Sequence, residues 1–350
     1  MIRARLEPAD VAALLQRDQQ AAGVLPRLLV TRLRVVGLVI ALGIAALSWA
    51  LTCSAWRYQK LVAEVAPLDA REFERLTLIT LGTGGAYENP DRLGPSTAVG
   101  LGSRVMLVDA GRAVAEALRA AGLPVSQPDA VLLTGLLPEN TVGLDDLLFG
   151  GWLDERSQAL RLVGPPGTRE LAEALMAGHR HGITAGTALG LEAAGAGFEV
   201  TEIGGGWSES LGDLELRAAA LPGGPVEALA YRFEWRGRSA VVGGPGWAPD
   251  ALLDLARGAD LLIHEAVFIP TPELAAQTQL QVEPERLRRE AALHTSIDQV
   301  ASLAQRAGIE RLVLVRLRPP PVYDFQITSL VNDRFEGRIA IAKDGDEFTP

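Results

Sequence analysis

Leu133-Thr-Gly-Leu-Leu-Pro-Glu-Asn-Thr-Val-Gly-Leu144 is the stretch on which the reading of the fold turns. It leaves a short β-type run, Val131 to Leu133, and enters a helix that Asp146 is expected to cap, its carboxylate complementing the helix dipole. The same alternation extends both ways. Upstream, Leu76 to Leu81 and Val105 to Val108 read as strands and Ala113 to Ala121 as a helix. Downstream, Arg161 to Val163, Leu214 to Ala218, Leu261 to Ile263 and Arg311 to Val315 read as strands, with a helix at Ile297 to Ala307. Tyr231 to Trp235 and Ser239 to Val242 flank Arg236-Gly237-Arg238 and predict a hairpin. The glycine-rich run Thr184 to Gly206 is expected to be loop, because it is crowded with turn formers. The pattern is α/β, without an internal repeat.

The chain has 350 residues, 48% of them hydrophobic and 22% charged, which is globular and large enough for a substantial core. Its net charge is −10 and no block of lysine and arginine resembles a nucleic-acid arm, so a polyanionic partner is disfavoured. Cys53 is the only cysteine, which excludes an intrachain disulfide and a thiolate zinc cluster. There are four histidines, His179, His181, His264 and His294, and imidazole is the commonest ligand of catalytic zinc.

Val35 to Trp56 is a run of 22 residues without a charge. That length crosses a hydrocarbon core of about 30 Å as a helix. Trp49, Trp56, Arg57 and Tyr58 are the interfacial anchors expected at its end. The expected layout is a short N-terminal segment over 1–34, a transmembrane helix over 35–56, a linker over 57–75 and a domain over 76–350. Arg27, Arg32 and Arg34 precede the span, against Arg57 and Lys60 after it. The positive-inside rule then predicts a single-pass protein of the inner or cell membrane, with a cytoplasmic N-terminus and a periplasmic or extracellular main domain. The distance of the run from Met1 disfavours a cleaved signal peptide. Gly37, Ala41 and Ala45 put small side chains on one face, a pattern that permits close helix packing.

Seven blocks follow in order along the rest of the chain: Leu81-Gly-Thr-Gly-Gly85, Arg92-Leu-Gly-Pro-Ser-Thr97, Leu107-Val-Asp-Ala-Gly-Arg112, the Leu133 to Leu144 stretch, Gly164-Pro-Pro-Gly-Thr168, Leu262-Ile-His-Glu-Ala266 and His294-Thr-Ser296. As an ordered set they resemble the ribonuclease Z and arylsulfatase-like branch of the metallo-β-lactamase superfamily. The resemblance implies an αββα four-layer sandwich and a hydrolytic ancestry. In that family a His-x-His-x-Asp-His signature and three further ligands hold two metals that make a hydroxide nucleophile. Those positions fall here on Gly135, Leu137, Glu139, Asn140, Gly223, Pro245 and Arg316. Of these, Glu139 alone keeps a side chain suited to a divalent cation, and the Arg316 guanidinium would repel one.

The resemblance therefore implies no catalytic metal and no cofactor. Asp109, His264, Glu265 and His294 resemble the family's outer positions. They would either pair with one another to hold the fold, or line a cleft that binds a polar or anionic ligand with help from Arg316. The expected function is a membrane-anchored pseudoenzyme with a binding, regulatory or assembly role, acting as a homodimer or beside a membrane protein or an active homologue. The alternative is a metal-independent or metal-altered hydrolase of a phosphoester, ester or lactone. His179-Arg-His181 could face one way on a strand and offer a new metal site, but nothing nearby supplies a third ligand and a charged surface helix end is the more ordinary explanation; Asp145-Asp146 could act as a carboxylate pair.

Overall fold

A computed structural model describes residues 8–85, 91–222, 226–246, 249–267, 289, 293–318 and 324–350. The chain divides into two compact units, Met1–Pro67 and Leu68–Pro350. Among the described residues the first holds one helix, α1 (Pro8–Val65), which contains the uncharged run. Within it Val30–Val62 is long and apolar enough to cross a membrane, and none of its most apolar window is buried. Val36, Ile40, Leu47 and Trp49 all lie more than half exposed. Apolar side chains on every face suit a surrounding of lipid or other helices rather than water.

In the second unit each half begins with antiparallel strands and continues with parallel ones. The first sheet holds β1 (Phe73–Gly82), β2 (Ser96–Gly102), β3 (Arg104–Val108), β4 (Ala130–Leu132), β5 (Leu160–Gly164) and β6 (Phe198–Glu202) in sequence order, with β14 (Asp346–Phe348) beside β1. The second holds β7 (Ser208–Leu211), β8 (Leu214–Ala220), β9 (Leu229–Trp235), β10 (Arg238–Val242), β11 (Leu261–Val267), β12 (Arg311–Arg318) and β13 (Arg338–Ile341), also in sequence order.

Period-two alternation explains the layering, because successive side chains of a strand point to opposite faces. Leu76 and Leu78 of β1 join Met106, Tyr231, Phe233 and Val313 in a core drawn from both sheets. Their neighbours Ile79 and Leu81 face the other way, onto Leu118, Leu147 and Leu148 of the helices α2 (Val114–Ala120) and α4 (Leu144–Leu153). Likewise Leu312 and Leu314 of β12 pack on α7 (Pro249–Ala256), α8 (Ile297–Ala307) and α9 (Asp324–Asn332). With both faces covered, the strands are apolar on both sides. The result is the expected αββα sandwich.

The predicted hairpin is present: β9 and β10 pair from Trp235 and Arg238 outward. Arg236 and Gly237 have φ of 47° and 75°, the left-handed pair a type I′ turn requires. The helix over 297–307 starts at Ser296 in a reciprocal capping box with Gln299 and stops at Gly308, φ 69°.

The run expected as loop, Thr184 to Gly206, is instead structured. It contains the end of α6 (Arg180–Ala188), a 3₁₀ turn over Ala193–Ala196 and β6. Two of the glycines there are packing positions. Any Cβ on Gly186 would strike the Trp152 ring, and one on Gly195 the Arg156 carbonyl. The strand forms because β5 offers a parallel partner, Leu160 opposite Phe198 through Gly164 opposite Glu202.

Candidate functional site

The blocks converge where strands end at the seam of the two sheets. Asp109 follows β3 and Thr134 follows β4, while Glu139 and Asn140 lie on the single-turn helix α3 (Pro138–Thr141). His264 and Glu265 are on β11, Arg316 and Arg318 on β12, and His294 and Thr295 immediately precede α8.

Asp109 is 2% exposed and accepts four hydrogen bonds. The Thr134 N–H donates to Oδ1 at 2.8 Å. The Thr134 hydroxyl at 2.7 Å, Asn140 Nδ2 at 2.6 Å and Arg316 Nη2 at 2.7 Å donate to Oδ2. Burial raises the pKa of this carboxyl, and the opposing pull of Arg316, Thr134 and Asn140 only partly offsets it. Because all four hydrogen bonds are donated to it, the group that the three residues hold is the carboxylate. Burial acts against the charge of Arg316, but Asp109, Glu139 and Glu265 together outweigh it and raise its pKa.

Arg316 and Asp109 have φ of 52° and 63°, a region costly for residues other than glycine. At Arg316 that conformation breaks the strand's alternation. Leu312 and Leu314 point to the helices and Val313 and Val315 to the inter-sheet core, yet Leu317 again points to the helices. The register of β11 on β12 slips at the same level, between Glu265 and Val267. This irregularity turns both Arg316 and Arg318 into the site.

Arg318 closes a second network. Its Nη2 donates to Glu139 Oε2 at 2.7 Å and its Nη1 meets His294 Nε2 at 2.8 Å. A guanidinium only donates, so His294 Nε2 accepts and Nδ1 carries the proton, which goes to Glu265 Oε2 at 3.0 Å. Thr295 N–H adds a bond to Glu265 Oε1 at 3.1 Å. Burial alone would raise the Glu265 carboxyl, but the hydrogen bond from His294 and the charge of Arg316 hold it down at about 2. His264 is fully buried, and that burial lowers its pKa, leaving it neutral. Its Nδ1 bonds the Glu265 carbonyl at 2.8 Å, while Nε2 has no hydrogen-bond partner among the described residues.

Arg316 and Arg318 thus face three buried carboxylates, Asp109, Glu139 and Glu265. Arg316 Nη1 lies 3.6 Å from Glu139 Oε1 and 3.9 Å from Glu265 Oε2. Glu139, Glu265 and His294 each place a ligand-type atom within 4.8 Å of the others, which is close enough to hold a cation. The donor chemistry does not fit a resident metal, however, because Arg318 already bonds Glu139 and His294 and Arg316 stands beside both carboxylates. The space bounded by Asp109, Glu265, Arg316 and Gly243 is about 20 Å³, too small for an organic ligand. The hydroxyls bordering the centre donate elsewhere: Ser96 to the Asp109 carbonyl, Thr134 to Asp109 and Thr295 to the Gly246 carbonyl. None is hydrogen-bonded to a histidine.

Two other positions expected to match the family's ligands lie together, since a Cβ on Gly135 would sit 3.4 Å from Pro245 Cγ. Leu137 occupies the N-cap position of α3 without a side-chain cap. Gly223 lies outside the described residues. Asp146 does not cap α4: the N-cap is Gly143, and a Cβ there would strike the Gly111 carbonyl, so no capping side chain fits. Asp146 sits within the first turn, beside Asp145. His179 lies between α5 (Thr168–Gly178) and α6, with His181 in the first turn of α6. The pair thus lies at an exposed helix end, the ordinary reading of the motif, and because residues two apart on a helix point about 200° apart they do not share a face as a metal pair on a strand would.

Sequence reasoning missed Arg318 and Thr134. The spacing of Arg316 and Arg318, two residues apart in a β-type run, was an available signal. Asp344 was also missed; its Oδ1 accepts from Thr83 N–H and Oγ1 and its Oδ2 from Leu93 N–H, tying the first two blocks together.

No family model matches the sequence. Among curated proteins, a ribonuclease Z of Mycobacterium bovis (strain BCG / Pasteur 1173P2) is 32% identical over 276 residues, covering 77% of this chain and 96% of the relative. A ribonuclease Z of Mycobacterium sp. (strain KMS) is 34% identical over 254 residues, covering 69% and 83%. Among solved structures, the metallo-β-lactamase-fold protein YhfI from Bacillus subtilis superposes with a TM-score of 0.61 at 18% identity, over 79% of this chain and 99% of that one. Human tRNase Z, short form, gives 0.57 at 19% identity, over 78% and 98%. On identity and coverage together, the chain belongs to the ribonuclease Z family of metallo-β-lactamase-fold proteins.

Proposed function

We propose that this protein is a membrane-anchored pseudoenzyme of the ribonuclease Z family, in which two arginines supply the positive charge that metals supply in hydrolytic relatives. The observation that carries the reading is the pairing of Arg316 with Asp109 and of Arg318 with Glu139 and His294 in a buried centre. A metal polarises an oxygen and lowers the pKa of its bound water to about 7. A guanidinium has no open coordination position and does neither. What it retains is the neutralisation of buried carboxylates, which keeps the fold intact without the chemistry.

The role that remains is binding, regulation or assembly at the inner or cell membrane. Residues 35–56 act as the anchor, and the arginine bias places the N-terminus in the cytoplasm. The partner is a membrane protein, an active homologue or a second copy of the chain. The primary test is elemental analysis of the full chain, purified in dodecyl maltoside and then incubated with zinc, manganese or iron. Less than a tenth of a metal per chain is expected. One or two equivalents of tightly held metal would overturn the reading.

A further inference from the structure

The outer side of α4 carries a second candidate site, unconnected with the arginine centre. Leu144, Leu147 and Leu148 bury one face of α4 against the first sheet. Asp145, Asp146, Phe149, Trp152 and Leu153, spaced three and four residues apart, lie on another. Opposite them, His179, Gly182 and Ile183 complete a pocket of about 410 Å³. That volume falls within the range of small-molecule sites, about 300–1,000 Å³.

The walls are ordered by specific contacts. Trp152 is 3% exposed and its Nε1 donates to the Glu192 carbonyl at 2.8 Å. Phe149 packs edge-on to Trp152, centroids 6.4 Å apart, and lies 4.4 Å from the His179 ring. A Cβ on Gly182 would meet nothing within 4 Å, so that wall stands open. The rim is negative. Asp145 Oδ2 lies 3.5 Å from His179 Nε2, a salt bridge only when the imidazole is protonated. Asp146 has no ion-pair partner among the described residues. Burial raises its pKa, and the charges of Glu116 and Asp145 raise it further. No lysine or arginine lines the pocket among the described residues.

Crowded carboxylates beside aromatic rings are complementary to one kind of group, a cation on an apolar body, attracted to the carboxylates by charge and to the rings by their quadrupoles. We propose that this pocket binds a small organic ammonium, its charged nitrogen held by Asp145 and Asp146 and its apolar body against Phe149, which Trp152 backs, and Leu153. An anion is repelled by the rim, and a neutral ligand leaves the carboxylates unanswered.

The test is isothermal titration of the full chain in dodecyl maltoside with benzyltrimethylammonium, with empty micelles as blank and benzyl alcohol and benzenesulfonate as neutral and anionic counterparts. Saturable binding of the cation is expected, about tenfold tighter than benzyl alcohol, and weakening between 20 and 300 mM salt. The double variant Asp145→Asn/Asp146→Asn, at positions that carry no core contact, is expected to lose about tenfold in affinity. Phe149→Leu is expected to lose about threefold. Absence of cation binding, equal affinity for benzyl alcohol, or unchanged affinity in the double variant would each overturn the proposal.

Discussion

Replacing Arg316 with methionine tests the central claim most directly, because it removes the guanidinium and keeps much of the volume. Asp109 would lose its 2.7 Å ion pair, and Glu139 and Glu265 the positive charge 3.6 and 3.9 Å away. Removing one partner of a buried pair typically costs about 3–5 kcal/mol, because the remaining charge has no compensation. Asp109 keeps three other donors, which favours the lower end of that range. A domain of this size shifts by about 2–4 °C per kcal/mol, so Tm should fall by about 6–20 °C. The pH dependence has a definite sign. Burial already holds the folded-state pKa of Asp109 above its unfolded value, and removing Arg316 raises it further, so the charged form penalises folding more. The deficit should therefore be fully expressed at pH 7 and shrink as pH falls through the raised pKa, where protonation removes the buried charge. Double variants sharpen the result: Arg316→Met with Asp109→Asn should be less damaging than the sum of the two single changes by more than about 1 kcal/mol. The assay is circular-dichroism melting of the full chain in dodecyl maltoside at pH 5, 6 and 7. A Tm within 2 °C of wild type at pH 7, or strict additivity in the cycle, would refute the reasoning.

The remaining expectations test other parts of the molecule. The double variant Arg316→Met/Arg318→Met releases Asp109, Glu139, Glu265 and His294 from their guanidiniums. It should gain a zinc-dependent rise in Tm that wild type lacks, and an equal zinc response in both proteins would count against the arginine-for-metal reading. Glu265 is held at about 2, against an ordinary value of 4.5, so it contributes stability above pH 4.5 that is lost as pH falls toward 2, about 3 kcal/mol in all. Glu265→Gln should flatten the acid limb of the melting profile over that window, and an unchanged limb would refute the assignment. A Cβ on Gly243 would collide with the His264 ring, so Gly243→Ala should destabilise by about 1–3 kcal/mol, read as loss of Tm. For the anchor, alkaline phosphatase fused after Pro350 should be active in a bacterial host. Activity only when it is fused before Val35 would reverse the proposed orientation.

Much of the sandwich could be read from the sequence because its strands and helices are long, apolar and periodic. The strand near Leu76 to Leu81, the hairpin at Arg236-Gly237 and the helix at Ile297 to Ala307 announce themselves through alternation, turn chemistry and capping. Elements whose formation depends on a distant partner were not legible. β14 has three residues and exists by pairing with β1, Phe348 opposite Leu78. β6 lies in a glycine-rich run and exists by pairing with β5.

The candidate site divides the same way. The expectation that imidazoles and aspartates are missing from the family's ligand positions comes from residue identity and order alone, and so does the presence of an uncharged run long enough to cross a membrane. The arginine–carboxylate centre does not. A regular β12 would send Arg316 to the helix side with Leu312 and Leu314. The left-handed conformation at Arg316 turns it and Arg318 inward, onto carboxylates contributed from positions 109, 139 and 265. Alternation along a strand is local and can be read from order; a break in it, and the charges it must meet, are settled only when the two sheets close on each other and leave buried carboxylates that need a cation.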